Sequence, residues 1–149
     1  MKAPVSRRGV VVRQINAQTA GAKALRERRT AQLAVLTQGV EEQLYVDVYV
    51  LVVPGRDAGP RTKCATTAAQ NRGWAITRTL TDTTGPGTDL ALRPALALAL
   101  DRITRGESTG IVAVSQTDFS SFADDYEALL DKLGRAGGFL DLAHAETAI

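Results

Sequence analysis

The apolar positions of this chain follow one period at the start and another afterwards. Across residues 17–43, Leu25, Leu33, Leu36 and Val40 recur at helical spacing in a run rich in Ala, Leu, Arg, Gln and Glu. Arg28 and Arg29 interrupt that stripe. A single amphipathic helix must bury its stripe, on the body of the protein or on a partner. The period then shortens. The run LYVDVYVLVV at 44–53 is β-branched and aromatic with one charge, the pattern of a strand buried on both faces of a parallel sheet.

Helical and strand patterns alternate from there. A helix is expected over 61–72, a strand over 74–80, a helix over 92–106 and a buried strand over 110–115. A helix over 118–138 follows, with Phe122, Tyr126, Leu129, Leu130 and Leu133 as its apolar face, and then a last strand over 139–143. Short connections between alternating elements predict an α/β fold of three layers, a mostly parallel sheet with helices on both faces. The expected organisation is a basic arm and helix over 1–43, an α/β domain over 44–143 and a tail over 144–149. Within the arm, a short strand is expected at Gly9–Ile15. In such folds ligands bind beyond the carboxyl ends of strands, where the loops 54–60, 81–89 and 115–121 meet.

Charge changes this picture at one end. Residues 1–30 hold Lys2, Arg7, Arg8, Arg13, Lys23, Arg26, Arg28 and Arg29 against the single acid Glu27, a net +7. Residues 31–149 hold ten basic and fifteen acidic residues, a net −5. The basic residues Arg7, Arg8, Arg13, Lys23, Arg26, Arg28 and Arg29 are therefore the candidate contacts for DNA or an acidic partner. The alternative is a helix face that pairs with the chain's own acidic body. Cys64 is the only cysteine, which fits a reducing cytoplasm, and with His144 far along the chain it reads as a packing residue. No apolar run approaches the roughly 20 residues of a membrane span, and GVVV is too short for a secretory core.

Little of the chain carries catalytic chemistry. No phosphate-binding glycine loop is present, and the single histidine excludes the usual serine triad. Neither a cofactor nor a metal is expected. A lesser reading lets Asp57, Asp82, Asp118 and Arg93 converge as a small-ligand or Mg²⁺ site.

RGW at 72–74, TDTTGPG at 81–87, RPAL at 93–96, VAVSQTD at 112–118 and YEALLDKLGRAGGFLDL at 126–142 keep one order and spacing. In these pieces, residues 44–143 resemble the catalytic domain of serine recombinases, the resolvase/invertase group. The resemblance implies a resolvase-like fold and a first strand of the form Tyr-x-Arg-x-Ser, whose Ser attacks DNA phosphate. Here Tyr49 is followed by Leu51 where the family has Arg and by Val53 where it has the nucleophile. Phe119 and Phe122 fall where two catalytic arginines belong, and Pro86 replaces the loop Ser. Arg93 and Asp118 match the family's catalytic set, while Asp82 and Gly87 match loop positions.

Phosphoryl transfer needs a nucleophile and preorganised cations, and losing one oxyanion donor alone costs about 3–4 kcal/mol in the barrier. The expectation is no catalysis. Ser115, Ser120 and Ser121 could relocate a nucleophile only with Asp118 as base, and helix-entry roles explain them better. Two readings stay open for Phe119 and Phe122: an exposed protein contact, or a filling of the volume the arginines vacated. The family's long dimerisation helix and DNA-binding domain are expected after position 143, and the sequence stops six residues later. The leading expectation is a non-catalytic interaction and oligomerisation module, with a protein partner or a second copy. The alternative is a DNA-binding accessory or regulator of recombination that uses the arm.

Overall fold

The computed structural model describes residues 21–85 and 87–147. The strand expected at 9–15, Arg7, Arg8, Arg13 and Pro86 lie outside the described residues.

Among the described residues four strands form one parallel sheet: β1 (Tyr45–Leu51), β2 (Ala75–Asp82), β3 (Gly110–Ala113) and β4 (Phe139–Leu142), in the spatial order β2-β1-β3-β4. Three helices supply the crossovers: α2 (Gly59–Asn71), α3 (Pro94–Thr104) and α4 (Ala123–Ala136). A preceding helix, α1, covers 21–37. Every residue of β1 after Tyr45 is buried, as its two-sided apolar pattern requires. Val48, Val50 and Val52 pack with Ala65 of α2 on one face. Tyr49 and Leu51 pack with α3 and α4 on the other. The expected three layers are present, and every strand pair is parallel.

The one charge in the strand, Asp47, has a physical explanation. It is fully buried and accepts bonds from Arg102 Nε at 2.7 Å and Nη2 at 3.2 Å. The Asp47 contact raises the Arg102 guanidinium pKa above its ordinary value, against the opposing effect of burial. Gly110 has a packing reason of its own. A Cβ there would lie only 2.4–2.6 Å from three carbons of the Phe139 ring. Gly110→Ala is expected to lower the unfolding free energy by about 1–3 kcal/mol, as overpacking does, measured by urea denaturation.

Helix α1 is part of the body. Leu25 belongs to the α3/α4 core and Leu33 to the cluster of Val46, Ala69, Val112 and Phe139. Gln32 Nε2 donates to the Gly138 carbonyl at 2.9 Å, which sets the helix beside the β4 edge. It stops at 37 rather than 43, because Gly39 takes a left-handed φ of 73° that ends the helix. Arg29 interrupts the stripe only in sequence. It is 4% exposed and donates to Glu146 at 2.6 and 3.1 Å and to Asp141 at 3.2 Å. Within the tail expected at 144–149, the same contacts bury Glu146, while 148 and 149 lie outside the described residues. Glu146 is 2% exposed and also accepts the Tyr126 hydroxyl at 2.7 Å. Buried bonds therefore cross both expected boundaries, at 43 and at 143.

Burial alone would raise the Glu146 carboxyl pKa, but the Arg29 and Tyr126 bonds outweigh it and hold the group below its ordinary value. Burial pushes the Tyr126 hydroxyl up.

Helix α4 also begins later than expected, at Ala123 rather than 118. Residues Gln116–Asp118 make a short 3₁₀ turn with a capping box from Ser115. The Ser120 hydroxyl then accepts the Phe122 amide at 3.0 Å. This side-chain bond offers the backbone an alternative to continuing the turn as α-helix.

Candidate functional site at the strand ends

The carboxyl ends of β1 and β3 open on a cleft of ≈ 510 Å³. It is lined by Leu51, Val52, Val53, Arg56, Asp57, Arg61, Thr117 and Asp118. β1 delivers Leu51 and then turns out at Val53, which is 45% exposed on the rim. α2 brings Arg61 in from its first turn, following the loop that holds Arg56 and Asp57.

Asp118 is the buried acid of this cleft. Its carboxylate accepts the amides of Val114 at 3.1 Å and Ser115 at 3.4 Å, and it pairs with Arg61. Burial raises its pKa above the ordinary carboxylate value despite Arg61 and both amides. Asp118 thus closes the short Gln116–Asp118 turn and does not cap α4, which begins at Ala123.

Arg93 is fully buried at the entry to α3. Its guanidinium donates to the carbonyls of Asp118 at 2.6 Å, Phe119 at 2.8 Å and Thr88 at 3.2 Å. It thereby ties the 81–89 loop to the 115–121 loop through backbone. Asp82 is equally structural. It accepts the Ala95 and Leu96 amides at 2.8 and 3.0 Å, capping α3, and the Tyr49 hydroxyl at 2.9 Å. Burial pushes that hydroxyl up.

The two phenylalanines divide between the two readings. Phe119 is 1% exposed and stacks on Tyr49 at 5.3 Å with an interplanar angle of 21°. It fills volume, the second of the two readings left open for it. Phe122 is 71% exposed at the mouth of α4, and its place in the apolar face of that helix is thereby corrected.

The constellation of Asp57, Asp82, Asp118 and Arg93 does not assemble. Asp57 and Asp118 line the cleft, Asp82 caps α3 and Arg93 is committed to carbonyls. Among the described residues no group of three or more His, Cys, Asp or Glu side chains is placed to hold a metal ion.

Against solved structures the fold is recognisable. The C-terminal catalytic domain of ISC1926 TnpA, an IS607-like serine recombinase, superposes with a TM-score of 0.60 at 12% identity, over 68% of this chain and 72% of that one. The fold is that of a serine recombinase catalytic domain. The N-terminal catalytic domain of TP901-1 integrase gives 0.59 at 21% identity, covering 66% and 76% of the two chains. The first open reading frame of transposon ISC1904 from Sulfolobus solfataricus P2 gives 0.54 at 15% identity, covering 70% of each. No protein family and no curated protein matches the sequence.

Within this resolvase-like fold, the candidate contacts on α1 separate by face. Lys23 and Arg26 are exposed, and Lys23 pairs within its own helix with Glu27 at 3.8 Å. Arg28 turns to α4, where it pairs with Asp131 and reaches Glu127 at 3.7 Å. Arg29 is inside. The structure thus removes Arg29 from the candidate contact surface and commits Arg28 to the acidic body. Sequence reading missed Arg56 and Arg61. Their signal was weak: two arginines in the stretch that leads from the first strand into the next helix. Among the described residues no helix is long and apolar enough to cross a membrane.

Proposed function

We propose that this chain is a non-catalytic protein of the serine recombinase fold that works as an interaction and oligomerisation module. One observation carries the reading: the strand end where the family resemblance calls for a nucleophile and cations presents Val53, Leu51 and the buried Phe119, and Arg93 is spent on backbone carbonyls. Arg56 and Arg61 can attract an anion, but Val53, at the position aligned with the family nucleophile, has no covalent step to offer phosphate.

The same end supplies a contact surface. Val53 follows β1, Leu92 precedes α3 and Phe122 precedes α4, and these three large apolar side chains are 45%, 70% and 71% exposed. Exposed apolar groups gathered at one end mark an interaction site. Two measurements test the proposal. Incubation with serine-recombinase site DNA, followed by a denaturing gel, is expected to show neither cleavage nor a protein–DNA adduct; an adduct overturns it. Light scattering is expected to show a species larger than one chain, reduced by Phe122→Asp at unchanged melting temperature.

DNA association through the arm is the second reading. It is favoured by the exposed Lys23 and Arg26 on a segment carrying +7. Duplex binding is then expected to weaken by at least an order of magnitude between about 50 and 200 mM salt. Replacement of Arg7, Arg8 and Arg13 by Glu is expected to abolish it.

A further inference from the structure

We propose that Cys64 and His144 form a thiol-exchange site for a small disulfide that carries carboxylate groups. The two residues are remote in sequence and adjacent in space, with Cys64 Sγ 3.8 Å from His144 Nε2. Cys64 packs against the Val48, Val50 and Val52 cluster, as its reading as a packing residue expects, and it has this polar neighbour as well. Both side chains line a groove of ≈ 710 Å³ between α2 and the end of β4. That groove shares no lining residue with the strand-end cleft.

The sheet sets the imidazole in place. The Ala143 amide donates to Ala113 at 2.9 Å and the His144 amide to Val114 at 2.8 Å, so parallel pairing runs on past β4. α2 holds the thiol from the other side. Ala65, the next residue, is fully buried against Val48, Val50 and Val52, which leaves the half-buried Cys64 facing the groove.

The charges around the pair select the reagent. Lys63 and Arg72 come from α2 and its C-cap, and Asp141 and His144 from β4 and the segment beyond it. Asp141 is the only acid in the lining, and two arginines answer it: Arg72 at 3.0 and 3.3 Å and Arg29 at 3.2 Å. Lys63 is exposed and, among the described residues, has no ion-pair partner. The groove therefore carries an uncompensated positive charge beside the sulfur, which attracts anions.

The reaction is a balanced exchange. His144 Nε2 takes the thiol proton as Sγ attacks one sulfur of the disulfide. A new Sγ–S bond forms and the reagent's own S–S bond breaks. The departing half leaves as a thiolate and recovers the proton from the imidazolium. Cys64 ends oxidised as a mixed disulfide, and one half of the reagent ends reduced as a thiol. Cys64 is the only cysteine in the chain, so no second thiol of the same chain can resolve the product.

The test uses the full chain and two probes: dithiobis-nitrobenzoate, which is dianionic, and cystamine, which is dicationic. Each rate is divided by that probe's rate with a free, uncharged cysteine derivative, and mass spectrometry counts the adducts. The anionic probe is expected to react about tenfold faster on this scale. Lys63→Glu is expected to erase most of that preference. His144→Gln is expected to slow both probes by about tenfold or more. His144 is exposed, so this variant keeps the fold. Equal scaled rates for the two probes in the unaltered protein overturn the charge selection. An unchanged rate in His144→Gln overturns the role of the imidazole.

Discussion

Replacing Arg29 with Ala is expected to lower the free energy of unfolding by about 3–5 kcal/mol, measured by urea denaturation, because it strands a buried carboxylate. Arg29 is 4% exposed and Glu146 2%. The guanidinium is the main opponent of the burial that would otherwise raise the Glu146 pKa. The effect depends on pH, and its sign can be worked out. In the unaltered protein the Glu146 pKa is lowered on folding. Its contribution is full above the ordinary glutamate value and is lost as the pH falls through the folded value. In Arg29→Ala burial dominates, the folded pKa rises, and protonation relieves the strain. The stability gap between the two proteins is therefore expected to narrow between about pH 7 and pH 4. A gap that widens on acidification sinks this account. Replacing the pair together, Arg29→Met with Glu146→Leu, is expected to recover much of the loss, since no isolated charge then remains.

Arg93→Ala is expected to cost about 3 kcal/mol or more, because three carbonyl acceptors lose a charged donor in a buried site. Arg93→Lys is expected to recover little. A single ammonium cannot span carbonyls on two separate loops as a planar guanidinium does. Amide exchange separates this from a general loss of stability. Protection is expected to fall first in the 115–121 and 81–89 loops that Arg93 joins, while the β1 amides keep theirs. If Arg93→Lys is as stable as the unaltered protein, the residue acts as a charge rather than as a fork, and the structural role assigned to it fails.

These two arginines mark the limit of what was legible in the chain. Arg93 stood out through its place in RPAL, and the resemblance gave it a catalytic role. Three of its bonds are to main-chain carbonyls, which have no sequence signature. Arg29 read as a break in an apolar stripe, since a helical wheel scores charge as exposed. Its partners, Asp141 and Glu146, lie 112 and 117 residues away. Phe119 and Phe122 are three positions apart and look equivalent on paper. The short turn at Gln116–Asp118 points one into the Tyr49 stack and leaves the other in solvent.

The sequence by itself determined the order of the elements, the parallel sheet and the three layers. Each follows from local periods and turn residues, and burial of β1 on both faces follows from its unbroken apolar run. It also showed which residue types stand where the family resemblance calls for a nucleophile and cations. Only the tertiary structure decided where α1 goes, that Glu146 is built in, that Cys64 meets His144, and which charges are paired. Those outcomes depend on contacts between segments tens of residues apart. A buried ion pair is a property of two positions and the space between them, and one-dimensional patterning records only the charges.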